Sequence, residues 1–436
     1  MGETTMLKKT QGIVLASMLV LLAACGKSPG TEKQTAVSNE PVTLLVTSSL
    51  SDSLDLFNQY YGNRIRAKFP NVTLNFIPKA TGQNIQDLLA SNQIPDLMYS
   101  KVSNMNSYVF ANGLGYELTE LVKKNQYDMS RFDPAYIEKV KSESPDGGLY
   151  GMPSPDMDPQ VLFYNKSIFE KFGVPFPTDG MTWDDVYELA KKMTRVEGGV
   201  TYRGFSAHIN VYFRDNQLSI PYLDPKQDKM YDSEKWKKMF TNLSRFYEIP
   251  NNKVAAKDEP VAFMTGNIAM MQNQLSNIVR IPENIDWDMV SMPVYKDGPK
   301  VMNQPSSTYW FISKQSKNKD ISFKIIEYLL SDELQMEIAR DQGGLPSIKA
   351  TAELKKAFGQ NVPQLKGKHI EAVFKYPLAS APPVRDKGLT VVNQGSMGTE
   401  VNKAFDKVIK DQVDVNTALR EAKEKIEGLI ATEKGK

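Results

Sequence analysis

The chain has 436 residues, 41% of them hydrophobic, with 53 Lys+Arg set against 51 Asp+Glu. That near-neutral balance excludes the strongly basic surface that a nucleic-acid partner requires. The length allows two lobes, each with a sizeable core.

Lys8 and Lys9 precede an apolar run, Gly12 to Ala24, that is too short to span a bilayer comfortably. A charged start, a short apolar core and small residues at its end read as a secretory signal over 1–24. The run closes in Leu22-Ala23-Ala24-Cys25-Gly26, which resembles a bacterial lipobox. The resemblance implies that the Cys25 thiol receives a diacylglyceryl group and becomes the first residue after cleavage. A plain secretory signal with an accidental Cys is the alternative, and Met6 is an alternative start. Cys25 is the sole cysteine, so its lipidation leaves no thiol for disulfides, thiolate metal sites or Cys nucleophiles. Residues 25–40 carry no large apolar side chain except Val37 and read as a flexible tether.

Val42 to Thr47 (VTLLVT) predicts a strand buried on both faces. Leu54, Phe57, Tyr61, Ile65 and Phe69 recur at helical spacing, Pro70 ends that helix, and Val72 to Ile77 predicts the next strand. Strand, helix, strand at this length is a βαβ unit. Gln83 to Ala90 predicts a helix, and Pro95 to Tyr99 a short strand leading into a polar loop, Ser100 to Asn106. Further on, Val161 to Tyr164 is strand-like, and Thr182-Trp183-Asp184-Asp185 is a capping box opening a helix. Trp287 to Val294 and Tyr309 to Ser313 predict strands, and Asp320 is placed as the cap of a helix. Two amphipathic helices close the chain, around Val401–Ile409 and Leu419–Leu429.

Four segments together resemble the family 1 extracellular solute-binding proteins, of which maltose-binding protein is the type. They are Phe163 to Pro175 (FYNKSIFEKFGVP) with the Thr182–Asp185 box and Lys191–Thr194, then Ala262 to Met270 (AFMTGNIAM), Gly343 to Ser347 (GGLPS), and the terminal helix pair. The resemblance covers nearly the whole mature chain. It implies a two-lobed α/β clam of the type II periplasmic-binding-protein kind, each lobe a mainly parallel sheet flanked by helices. The lobes are expected over 41–155 plus 307–343 and 156–306 plus 344–432. Crossings between them are expected near Pro153–Gln160, Asn303–Ser307 and Gly344–Ser347, where Pro and Gly suit a hinge. The implied activity is capture of a mono- or oligosaccharide for the permease subunits of an ABC importer. A monomer, lipid-anchored on the outer face of the membrane and without a cofactor, is expected. The same fold binding a polyamine, peptide or organic anion, or an exported enzyme acting on polysaccharide, are the alternatives.

The residues themselves offer little catalytic pattern. Gly204-Phe205-Ser206-Ala207-His208 and Gln394-Gly395-Ser396-Met397-Gly398 each miss one Gly of a nucleophile elbow. Asp156 and Asp158 lack a fixed carboxylate partner elsewhere for glycoside hydrolysis. Asp224, Asp228 and Asp232 do not follow a calcium-loop pattern and read as solvated charge. Tyr60-Tyr61, an iron-ligand pair in related binders, lies on an apolar helical face and reads as core.

Sugar sites pair aromatic faces with planar hydrogen-bonding side chains. The family stretch aligned on Tyr164-Asn165 puts Asp158 at a ligand-contacting acid, and Ser100, Ser103 and Asn104 at a ligand loop. There the family's Trp, Asp and Arg are replaced, which argues against maltose itself. Trp310, with Tyr309 beside it, follows a crossing and is either a stacking platform or a core residue. Tyr212 and Phe213 are candidates for an aromatic contact, Gln272 and Asn273 for amide bonds, and Ser49 and Asp52 for contacts from the first strand-to-helix loop. For each, an ordinary structural or surface role is the alternative.

Overall fold

The computed structural model describes residues 40–80, 82–253 and 256–435. Cys25 lies outside them, as does the tether up to Asn39. Glu40–Lys436 forms one compact unit. In chain order its strands are β1 (Val42–Ser48), β2 (Val72–Ile77), β3 (Leu97–Lys101), β4 (Gly151–Pro153), β5 (Gln160–Asn165), β6 (Arg195–Glu197), β7 (Val200–Tyr202), β8 (Ser206–Ala207), β9 (Met270–Gln274), β10 (Trp287–Ser291) and β11 (Thr308–Ile312).

The first sheet runs β2-β1-β3-β11-β4 and the second β10-β5-β9-β8. The predicted βαβ unit is present. Helical turns Leu54–Phe57, Asn58–Gly62 and Asn63–Lys68 run end to end, with a π-turn in the middle, and return the chain to β2 parallel to β1. The edge strand β2 alternates buried and exposed positions, as a strand with one solvated face does. In contrast, β5 is buried at all six positions. It sends Leu162 and Tyr164 into one core and Val161 and Phe163 into another, which explains why its sequence is apolar without alternation.

Two local expectations are corrected. The sheets are mixed rather than mainly parallel: β11 is antiparallel to both β3 and β4, and β5 is antiparallel to both β9 and β10. In the first sheet the antiparallel strand β11 is supplied by the chain returning from the second lobe, a long-range event that local periodicity does not encode. Asp320 does not cap its helix; Lys319–Leu329 starts one residue earlier, with Asn318 at the cap position and Asp320 in the acidic first turn. The Thr182–Asp185 capping box is formed in both directions, at 3.2 and 2.8 Å.

The first sheet packs against helices that include Lys319–Leu329 and Asp332–Gln342, around Leu44, Phe57, Trp310 and Ile326. The second packs against Trp183–Met193, Glu234–Glu248 and the terminal pair Gln394–Asp411 and Val415–Lys434, around Trp183, Phe213, Trp236 and Phe405. Asp228, expected to be solvated, is instead a tie point. It accepts from Arg385 (2.8 Å), Thr390 (2.9 Å to both N and Oγ1) and Lys434 (2.9 Å), so it pins the segment before the terminal pair.

The chain passes from the first sheet to the second between β4 and β5, and returns between β10 and β11. The connecting segments hydrogen-bond to one another. Ser154 N donates to Thr308 O (2.9 Å), Asp158 N to Ser306 O (3.2 Å), and Met157 pairs with Leu345 as an antiparallel bridge. Asp156 fastens them, accepting from Ser307 Oγ (2.7 Å), Thr308 N (3.0 Å) and Thr308 Oγ1 (2.5 Å). At Gly344 a Cβ would lie 2.8 Å from Pro155 O, so glycine is what lets the third segment approach the first.

Candidate ligand-binding site

A cavity of about 570 Å³ opens between the lobes. That is within the ordinary range for a small-molecule site. The first lobe contributes Leu50 and Asp52 from the loop after β1, Tyr60 and Tyr61 from the π-turn, and Tyr99 and Lys101 from β3. The second lobe contributes Leu275, Ser276, Ile278 and Val279 from the turn after β9. Asp156, Asp158, Gly343 and Gly344, at or beside the crossing segments, also line it.

Strand parity explains the grouping. Tyr99 and Lys101 share one face of β3, and Ser100 takes the other. Tyr99 donates to Asp52 Oδ2 at 2.7 Å, fixing the loop after β1. Asp158 is held from the opposite lobe, accepting from Ser276 N (2.9 Å) and Ser276 Oγ (2.5 Å). Burial raises the Asp158 carboxyl above its usual range, against the Ser276 bonds and the Lys101 charge; the nearby Asp156 raises it further. Burial, then the Asp156 charge, pushes the Tyr61 phenol well above its ordinary value, so it is a neutral donor and acceptor at physiological pH.

Asp52 and Asp158, both singled out in the sequence as candidate ligand contacts, line one cavity. Ser49, Ser100 and Asn104 form a second polar cluster: Ser49 Oγ lies 2.6 Å from Ser100 Oγ and 3.4 Å from Asn104 Nδ2. Ser103 is half-buried in the turn Val102–Asn104.

Six predicted contacts are corrected, because their side chains are enclosed by protein. Trp310 has no exposed surface and packs edge-on against Tyr61 (5.0 Å, 88°) and beside Tyr99 (4.9 Å). It lies behind the aromatic lining rather than in it. Tyr309, on the opposite face of β11, is equally buried and donates to Tyr136 O (2.8 Å). Tyr212 and Phe213 belong to the second core, with Tyr212 OH 2.5 Å from Tyr295 OH. Gln272 and Asn273 are fully buried on β9; Gln272 donates to Gln160 Oε1 (2.5 Å) and Asn273 to Pro260 O (3.1 Å).

Sequence reasoning passed over Lys101 and Ser276, placed Tyr99 only as a strand end, and weighed Tyr60-Tyr61 as an iron-ligand pair before reading it as core. Tyr61 does two jobs, packing on Trp310 and lining the cavity, and its apolar helical spacing showed only the first. Ser276 lies two residues beyond the end of β9, so strand reading offers no signal for it.

A second cavity, about 80 Å³, also lies between the lobes, lined by Asn106, Lys139 and Glu143 on one side and Arg214, Tyr222 and Gln394 on the other. Gln394 donates across the gap to Glu143 Oε1 (3.1 Å), which also accepts from Lys139 (2.8 Å); Lys139 reaches Gln304 as well (3.3 Å). Arg214 is held by Asp215 at 2.5 and 2.9 Å. What the larger cavity offers is aromatic surface and oriented acceptors.

Known proteins share this fold. The sn-glycerol-3-phosphate-binding periplasmic protein UgpB of Rhizobium meliloti (strain 1021) is 21% identical over 360 residues, 78% of this chain and 82% of that one. The arabinooligosaccharide-binding protein of Bacillus subtilis (strain 168) is 27% identical over 203 residues, 44% of this chain and 43% of that one. Among solved structures, the ABC substrate-binding protein Lmo0181 of Listeria monocytogenes, in complex with cycloalternan, superposes with a TM-score of 0.68. It is 20% identical, covering 90% of this chain and 100% of that one. The sugar-binding protein MalE of Xanthomonas citri gives 0.68 at 17% identity, covering 90% and 98%. The two-lobed fold is therefore shared. With residues 61–367 matching the family's sequence model over two lobes that enclose a lined cleft, the chain belongs to the bacterial extracellular solute-binding proteins.

Proposed function

We propose that this solute-binding protein captures a polyhydroxylated solute, a mono- or oligosaccharide, between its lobes and delivers it to the permease of an ABC importer. The observation that carries the reading is the cavity itself. Tyr60 and Tyr61 supply aromatic surface, with the buried Tyr99 behind them, while Asp52 and Asp158 present acceptors from opposite lobes. Such a pairing suits ring faces and hydroxyls. The Listeria protein's complex with cycloalternan and the Bacillus protein's arabinooligosaccharide support the sugar class. The protein is proposed to act as a monomer, held at the outer face of the membrane by lipid on Cys25. The anchor is assigned on the lipobox-like stretch Leu22-Ala23-Ala24-Cys25-Gly26; no helix among the described residues is long and apolar enough to cross a membrane.

A thermal-shift screen of the unit from Glu40 against saccharides tests the capture reading. A ligand at a hundred times its Kd stabilises by ~2.7 kcal/mol, readily seen as a rise in Tm. A screen in which peptides stabilise and no saccharide does would overturn it. For the anchor, Cys25→Ala should release the protein into the medium or leave it unprocessed; retention at the membrane after normal cleavage would refute lipid attachment.

A further inference from the structure

The relatives divide between sugars and a phosphorylated polyol, and the charge of the cavity discriminates between them. We infer that the cleft selects against anionic solutes: Asp52 and Asp158 make it a site for an uncharged or amine-bearing polyol and exclude a phosphate monoester. This rests on the reading of the larger cavity as the capture site.

Three carboxylates line that cavity, Asp52, Asp156 and Asp158, against one ammonium, Lys101. Every hydrogen bond recorded to the three comes from a neutral donor. Tyr99 OH serves Asp52, Ser276 serves Asp158, and Ser307 and Thr308 serve Asp156. None of the three is in a salt bridge among the described residues, although the Lys101 charge favours the ionised form of Asp158 against its burial. The guanidinium nearest in the neighbouring cavity, Arg214, is already gripped by Asp215 through two nitrogens and is bonded to Ser306 Oγ (3.0 Å). Anion sites commonly recruit backbone N–H groups at the start of a helical turn. Here the Ser276 N–H of the turn Leu275–Arg280 is occupied by Asp158 Oδ1. A phosphate carrying about −1.5 to −2 at neutral pH would meet Asp52 from one lobe and Asp158 from the other as closure expels water. Like charges brought together in this way are a device of specificity, because the wrong partner is rejected by repulsion. Sugar hydroxyls, by contrast, donate to both carboxylates, and an amino group does so with opposite charge.

The test is calorimetry and thermal shift on the unit from Glu40, using a neutral oligosaccharide panel, glucosamine oligomers and sn-glycerol-3-phosphate. The best neutral ligand is then compared with its own phosphate monoester. The expected result is a rise in Tm with a neutral or amino saccharide, none with sn-glycerol-3-phosphate, and affinity for the phosphorylated partner weaker by about a hundredfold or more. Asp52→Asn with Asp158→Asn should narrow that gap by about tenfold, a change of ratio that general loss of folding does not produce. Binding of sn-glycerol-3-phosphate, or of the phosphate monoester as tightly as its neutral parent, overturns the inference and leaves capture of a polyol intact. If no polyol of any charge binds, the capture reading fails and the inference falls with it.

Discussion

Asp158 lies within one crossing segment and Trp310 just beyond another, in β11, and one lines the cavity while the other is core. Sequence position relative to a hinge does not decide exposure; strand face and the residues stacked above it do. Asp158 was legible because the motif at Tyr164-Asn165 fixes its register on the approach to β5. Trp310 was not, because β11 is buried on both faces and has no alternation to separate inward from outward positions. Truncating Trp310 to Ala should therefore cost about 3–5 kcal/mol of stability, measured by urea unfolding without ligand. Its Nε1–H has no hydrogen-bond partner, so Trp310→Phe should cost much less than Ala, since no bond is lost. A Trp310→Ala protein with unaltered stability but lost affinity would return the residue to the binding surface. His208 offers a prediction in pH. Burial, with Arg214 close by, pushes its imidazole down to about 4 from an ordinary 6.5, and Nδ1 has no partner. The unfolded chain then takes up the proton first, so stability is full above pH 6.5 and is lost as pH falls towards about 4. His208→Gln should flatten that part of the pH profile, read from unfolding midpoints between pH 7 and pH 4.

At the scale of elements, local signals carried far. The βαβ start, the capping box at Thr182 and the terminal helix pair follow from periodicity and caps, which act over a few residues. What they could not carry was strand direction. β11 joins the first sheet antiparallel only after the chain has visited the second, and nothing near Thr308 records that journey. The contact between the first and third crossing segments is a similar long-range fact, and here Gly344 marks it. A methyl group at 344 would press on Pro155 O at 2.8 Å and on the Ile338 side chain at 3.2 Å. Backbone carbonyls yield little, so Gly344→Ala should separate the Met157–Leu345 pair and cost ~1–3 kcal/mol. It should also loosen the cavity floor, where Gly344 lies beside Asp158. Hydrogen exchange at the Met157 and Leu345 amides, which bond to each other's carbonyls at 3.2 and 3.1 Å, reads this directly. Unchanged protection there in the variant would show that the segments accommodate the methyl group.

For the whole molecule, the arrangement of the two lobes is itself an equilibrium. Away from the crossings, side-chain bonds among the described residues also span them, Gln394 to Glu143 (3.1 Å) and Asn361 to Asp341 (2.6 Å), and helix Gln394–Asp411 lies against the turn Val102–Asn104. Under the proposed function, the solute adds to these contacts by touching Asp52 and Asp158 from the two sides. Ligand binding should shift the population towards the closed form, with a fall in radius of gyration by solution scattering at saturation. The Gln394 bond sets how far the balance lies towards closure beforehand. A single buried hydrogen bond is worth ~0.5–1.5 kcal/mol, equal to roughly a two- to tenfold change in an equilibrium constant. If the conformation described is the one that binds, Gln394→Ala lowers its population and weakens the apparent affinity by about that factor, without touching the larger cavity. The intrinsic contacts remain, so the ligand-saturated radius of gyration should match the parent protein while the free protein is more extended. Equal affinity and equal free dimensions in the variant would mean that the Gln394–Glu143 bond does not bear on closure, and that the crossing segments and the other contacts between the lobes set the balance.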